Sequence, residues 1–394
     1  LTLTLTLTLT LTLTPTLTTT LPLPLPLTFT LPLTPTLTSQ RRLGMLGMFL
    51  LALLGGVSAD GPVSDLPQPP SPPPAPPCTV EMLRQRPAGD KSWSIACGHT
   101  TLGERNTELD LSGAHLSYGD FEGAAFNGTL IKLNGTGLAH ADLSGAKVTA
   151  VGLSGGGTIG GGTIDFAGAN LSHADLSGST LTAAGSYDST IDFTEANLAH
   201  ADLSGSKLFV ESANSEATIS FTEANLANAN LSGSELTAIS SYDASLIDFT
   251  QAELTHADLS GSTITVEGYD ASLIDFTGSN LAHADLSGSK LIAESANGAT
   301  IDFADASLTH ADLRASEVAA VSITYGNALL DLTNADLTNA DLRGSNLTAT
   351  SLNGDATIDL TGAVLANADL SDVSITVEAP NGDATVAVTP PPQQ

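Results

Sequence analysis

The 394-residue chain carries two cysteines, one tryptophan and 4% aromatic residues, and its 12 lysines and arginines face 42 aspartates and glutamates. Two cysteines exclude a dense disulfide framework, and with no neighbouring ligand set they do not make four-coordinate zinc. The shortage of base removes the electrostatic footprint of a protein that binds nucleic acid or an anionic membrane directly. From residue 110 onward 36 acidic side chains face six basic ones, which accounts for the whole net charge of −30. The longest apolar stretch, Leu43 to Val57, falls short of the ~20 residues of a membrane-spanning helix. No Gly-Lys-Ser/Thr phosphate loop and no helix-borne histidine pair occurs. The many Ser, His and Asp residues come from repetition, so the expectation is no enzyme and no cofactor.

What is there is a beat of five. Between Ile164 and Ile375 an apolar residue returns every fifth position, and the run is interrupted every 27 to 29 residues. One unit centres on Phe166, Leu171, Leu176 and Leu181, the next on Phe193, Leu198, Leu203 and Leu208. Neither a helical period of 3.6 nor a strand period of 2 gives this step, so the chain turns a corner at each one. Two residues before each centre stands a small residue such as Ala169 or Ala174, with Asn170 or Asp175 between. Small and large apolar groups two apart share one face of a short extended segment, and the polar residue faces out. Ser-Gly pairs such as Ser177-Gly178 then supply turn chemistry.

The motif A-[DN]-L-S-G, repeated in register, resembles the pentapeptide-repeat family over roughly residues 110 to 378. The resemblance implies an all-β, right-handed β-helix with four fives to a coil, here about ten coils, and it implies no shared catalytic residue. Each unit exceeds four fives by seven to nine residues. These inserts read as turns: Asn297-Gly298, Asn353-Gly354 and Asn381-Gly382 carry the strongest short hairpin signal. The expectation is a column of hairpins or widened corners along one edge, with a fifth side to each coil as the alternative. Upstream, Leu111, Leu116, Phe121, Phe126 and Ile131 keep the step, and Leu133, Leu138, Leu143 and Val148 restart it. Gly152 to Gly162 reads as a loop or distorted coil, and Ile375 to Val388 as a closing hairpin.

The remaining segments divide as follows. Residues 1–40 are a low-complexity Leu/Thr/Pro run, disordered or a translated nucleotide repeat, with Met45 or Met48 as the expected start. Residues 41–59 have the layout of a signal peptide: Arg41-Arg42, an apolar stretch and the small-residue site Val57-Ser58-Ala59. Export to a secreted or extracellular location follows, with no membrane span after signal removal. Residues 60–77 form a Pro-rich linker, 78–109 an N-terminal cap, 110–388 the β-helix and 389–394 a disordered tail. Cys78 and Cys97 bracket the cap, and in an exported chain an even pair closing so short a loop is expected to form one disulfide, contributing ~3 kcal/mol.

Several polar columns repeat with the coils. Asp175, Asp202, Asp258, Asp285, Asp312, Asp341 and Asp369 share one position, and Asp165, Asp192, Asp248, Asp275, Asp302, Asp331 and Asp359 another. Calcium between stacked carboxylates is the minor reading, and a hydrated face hydrogen-bonding a corner the major one. His140, His173, His200, His256, His283 and His310 form a third column in which Asn228, Asn339 and Asn367 substitute. A pH-responsive stripe and a transition-metal ladder are weighed there against a corner residue that Asn replaces equally well. Sequons stand at Asn127, Asn134, Asn170, Asn230 and Asn346, and glycosylation and chance are balanced readings. A Thr column (Thr163, Thr190, Thr218, Thr300, Thr357) suggests ice binding only weakly, since Leu246, Leu273 and Leu329 interrupt it. The function expected is an exported, non-catalytic structural or interaction protein offering flat faces and a hairpin edge to a protein or polysaccharide. The alternative is a nucleic-acid mimic held by a DNA-handling enzyme.

Overall fold

The computed structural model describes residues 78–88, 96–152 and 160–388. The chain divides into two units, Leu1–Pro73 and Pro74–Gln394. All of the first lies outside the described residues, and with it the low-complexity run, the signal-like stretch and most of the linker. Trp93, the middle of the glycine-rich stretch and the tail 389–394 lie outside them too.

The second unit is an all-β parallel solenoid of about ten coils. Its strands fall into two 11-stranded sheets between which the chain alternates. Every strand pair is parallel and in register, as where Thr180 pairs with Lys207, Lys207 with Glu235 and Glu235 with Thr263. Two ladders of single bridges complete the coil: Asn170–Asn197–Asn225 and Asp175–Asp202–Asn230, each continued above and below. A coil therefore has four sides, two long and two short.

Alternation sets what goes inside. Along Thr180–Gly185, Leu181 and Ala183 are buried, and along Ser189–Asp192, Ser189 and Ile191. At the head of each coil Phe166, Phe193, Phe221, Phe249, Phe276 and Phe303 stack face to face, with ring centroids 4.7–4.9 Å apart. That separation is the strand spacing of a sheet, so the ring column and the backbone ladders share one period. Leu332 and Leu360 continue the column where phenylalanine stops.

The three tight corners are built alike. In Leu171-Ser172-His173-Ala174 the Ala174 N–H donates to the Leu171 carbonyl at 2.9 Å. The third residue takes positive φ, as a type II turn requires. One corner column reads Gly168, Glu195, Glu223, Gln251, Gly278, Asp305, Asn334; the next His173, His200, Asn228, His256; the last Gly178, Gly205, Gly233, Gly261, Gly288, Ala315, Gly344, all with φ between 54° and 68°. Just before most corners an Asp or Asn carboxyl or amide oxygen accepts the N–H two residues on, an Asx turn that holds the bend. Asp175 does so from Ser177 at 2.9 Å, and Asn170 from Ser172 at 3.1 Å.

The fourth corner holds the insert, and it is not a hairpin. Thr180–Gly185 and Ser189–Asp192 flank the Ser186-Tyr187-Asp188 turn without pairing with each other; each pairs only with its equivalents in the coils above and below. Both edges of each strand are already occupied by neighbouring coils, so the Asn-Gly signal has no partner strand to recruit. The insert instead widens the corner. The closing hairpin expected over Ile375 to Val388 is likewise absent: Ser374–Glu378 and Ala384–Val388 each add in parallel to the preceding coil.

At the other end, a disulfide joins Cys78 to Cys97 with Cα atoms 5.4 Å apart. It ties down the short helix Val80–Arg84, capped by the Thr79 hydroxyl, which accepts from the Met82 N–H. Leu83 of this helix is fully buried, and Arg86 donates to the carbonyls of His115 and Ser117 on the coil beneath. Beside the glycine-rich stretch, a Cβ on Gly161 would fall 1.6 Å from the Asp188 carbonyl oxygen, and one on Gly162 2.1 Å from that of Ala150. Only glycine lets the backbone pass so close.

Candidate interaction surface

The outward columns are the chemistry this molecule offers, and the structure assigns each a local job. In the first aspartate column, from Asp175 to Asp369, each Oδ1 accepts a corner N–H at 2.9–3.1 Å. The second column, from Asp165 to Asp359, does the same at 2.7–2.9 Å. Among the described residues no group of three or more His, Cys, Asp or Glu side chains is arranged to hold a metal ion.

The columns differ in charge balance. Arg314 sits between Asp312 and Asp341, its Nη2 2.5 Å from the first and its Nε 3.7 Å from the second, and Arg343 bridges Asp341 and Asp369 in the same way. Hydrogen bonds from these guanidinium groups hold the Asp312 and Asp341 carboxyls below the usual range. In the second column burial pushes Asp302 and Asp165 up, and the neighbouring carboxylates Asp331 and Asp275 add to the rise at Asp302. Lys207–Glu235 and Lys290–Glu317 link adjacent coils across the outer face of the other sheet, at 2.6 and 3.0 Å. Exposed pairs of this kind contribute ~0–1 kcal/mol each.

The six histidines form two exposed stacks. His140, His173 and His200 lie face to face, as do His256, His283 and His310, with centroids 4.7–4.8 Å apart; Tyr118 extends the first stack. All six have φ near 57–60°, as do Asn228, Asn339 and Asn367. The exchange of His for Asn thus has a backbone cause, because both tolerate the left-handed region better than most residues. Metal-bound imidazole nitrogens lie ~2.0–2.1 Å from zinc, so two on one ion are at most ~4.2 Å apart. In the stacks the ring centroids, rather than the nitrogens, lie 4.7 Å apart, so this spacing does not decide between a metal ladder and a corner residue.

The sequons are spread over both kinds of position. Asn170 and Asn346 are exposed and Asn230 is half-buried; the amide oxygens of Asn170 and Asn230 each accept the N–H of the serine two residues on. Asn127 lies on the strand Ala125–Gly128, and the Asn134 amide oxygen is buried.

Sequence reasoning passed over the aromatic content of the widened corner. Tyr187, Tyr242, Tyr269 and Tyr325 all lie there, with 43%, 69%, 53% and 64% of their surface exposed. Beside Tyr269 a groove of ≈ 240 Å³ runs between coils, lined among others by Ile239, Glu267, Glu294 and Ile323. The signal was present as a tyrosine in four of the inserts, masked by the stronger Asn-Gly turns.

Fold and surface together define a class: a repeat solenoid with an apolar axis, whose outer columns repeat one side chain per coil. The pentapeptide-repeat family model matches in eight copies, including residues 164–184 and 330–354. The chain thus carries pentapeptide repeats of the kind that family model describes. No curated protein matches it. Among solved structures it is similar to HetL, a pentapeptide repeat protein involved in heterocyst differentiation regulation from the cyanobacterium Nostoc sp. strain PCC 7120. That match has 22% identity over 72% of this chain and 90% of that one, with a TM-score of 0.23. It is also similar to QnrB1, a plasmid-mediated fluoroquinolone resistance protein, at 15% identity over 71% and 93%, TM-score 0.17. A third match is Rfr23 from the cyanobacterium Cyanothece 51142, at 17% identity over 39% and 63%, TM-score 0.15.

Proposed function

We propose that this protein is an exported, non-catalytic structural or interaction scaffold that presents its flat faces and widened corner to a protein or polymer partner. One observation carries the reading: side chains on the outside are arranged in columns along two 11-stranded sheets, around an apolar interior that opens into a cavity of ≈ 200 Å³ in the last coils, between Phe303 and Ile375. Columns of like groups suit multivalent contact with an extended partner, whereas catalysis needs unlike groups converging on one point. The test begins with the full chain made in a secretory host. Recovery outside the cell with a new N-terminus just after Ala59 supports export; retention inside the cell with residues 41–59 intact contradicts it.

The in-register carboxylate columns favour a second reading, a nucleic-acid mimic inside the cell. The same localisation experiment separates the two. Competition between this protein and duplex DNA for a DNA-handling enzyme is expected only under the second.

A further inference from the structure

The widened corner combines exposed tyrosine rings with carboxylates. Its inserts contain Asp188, Glu216, Asp243, Asp270, Asp355 and Asp383, and none of the inserts from the one at Tyr187 to the one at Asn381 holds a lysine or arginine. On the strand leading into it, Glu267 and Glu294 are register partners in adjacent coils, so two carboxylates stand about one strand spacing apart beside Tyr269. Two lysines of that sheet, Lys207 and Lys290, are engaged elsewhere, with Glu235 and Glu317. A cation over a tyrosine face, with carboxylates alongside, is the pairing this chemistry favours. The tyrosines recur up the same edge in four different coils, and Tyr269 is the one that lines the groove with Glu267 and Glu294.

We propose that this edge docks an extended basic polypeptide segment, seating arginine or lysine side chains between the tyrosine rings and the flanking carboxylates, with the groove formed by Glu267, Tyr269 and Glu294 as its centre. The inference rests on the scaffold reading and names the partner's chemistry and the surface it uses. Charge complementarity argues for the occupant: a chain of net charge −30 repels acidic polymers and attracts basic ones.

The experiment uses the full chain and fluorescent decapeptides of arginine, lysine and glutamate, with a neutral oligosaccharide as a fourth probe, in ~150 mM salt. The variant Tyr187→Ser/Tyr242→Ser/Tyr269→Ser/Tyr325→Ser leaves the charge unchanged. It is expected to weaken deca-arginine binding about tenfold or more. Glu267→Gln/Glu294→Gln is expected to do likewise, whereas Asp331→Asn/Asp359→Asn, which removes as much charge from the other sheet, should change affinity less than about twofold. An unchanged melting curve for each variant shows that folding is intact. Equal loss from both carboxylate pairs with no loss from the tyrosine variant would mean that only diffuse charge is sensed, and would overturn the site. Binding of the oligosaccharide in place of the basic peptides would overturn the partner while leaving the scaffold reading standing.

Discussion

The three tight corners and the one widened corner share a coil yet obey different constraints. At a tight corner the chain has two residues in which to turn, one with positive φ and one reached by an Asx cap, so Gly, Asn, His, Asp and glutamate-type residues recur there. At the widened corner several residues share the bend, and tyrosine, isoleucine, leucine, proline and Asn-Gly pairs all occur. Repetition therefore reports backbone geometry at the first kind of corner. Variation at the second marks where the sequence is free to serve another purpose.

Both kinds of corner hang on one axis, and cutting it should erase the difference between them. Phe249 is fully buried between Phe221 and Phe276. Phe249→Ala is expected to destabilise by about 3–5 kcal/mol in chemical denaturation, with amide protection lost at tight and widened corners together. Protection lost at only one kind would show that they fold independently.

A smaller effect sharpens the contrast. Gly178 has φ 60° and open space around a would-be Cβ, so Gly178→Ala tests backbone strain alone. It should cost about 1–2 kcal/mol, whereas Tyr242→Ser at the widened corner should stay within about 0.5 kcal/mol. The converse change, Ala315→Gly, relieves the one alanine in a glycine column, with φ 54°. Denaturation should show it more stable by about 1 kcal/mol.

Most of the coil was legible in the sequence because two side chains per step must go inward, and the spacing of Phe193, Leu198, Leu203 and Leu208 states that directly. The histidine column was legible as a column, but its cause was not, since φ at His173 is visible only in the folded backbone. The inserts suggest hairpins because Asn-Gly is read locally. That reading ignores that Ala356 and its neighbours already have partners in Ala328 and Ala384. The tyrosine edge went unread because four tyrosines scattered between residues 187 and 325 align only once the coils are stacked.

The smallest predicted effect concerns the aspartates. Burial raises Asp302 above its unfolded value, so the folded protein binds its proton more readily and the charged form is the less stable one. Asp302→Asn keeps an acceptor for the Ala304 N–H and is expected to raise the thermal midpoint slightly at neutral pH. The gain should vanish as pH falls through the folded-state value. Asp341, held low by Arg343, runs the other way: its contribution is present at neutral pH and lost on acidification. Melting curves for Asp302→Asn and Asp341→Asn across pH should therefore diverge in sign at pH 7 and converge in acid.

The account stands on the stacking of each 27- to 29-residue unit directly over the next, and pyrene excimer emission tests it most directly. Thr190 and Thr218 are register partners on the outer face of one sheet, whereas Thr357 lies several coils further along the same ladder. Labels on Thr190→Cys/Thr218→Cys should give strong excimer emission, and labels on Thr190→Cys/Thr357→Cys none. Equal emission from both pairs, or emission from the distant pair alone, would contradict the coil.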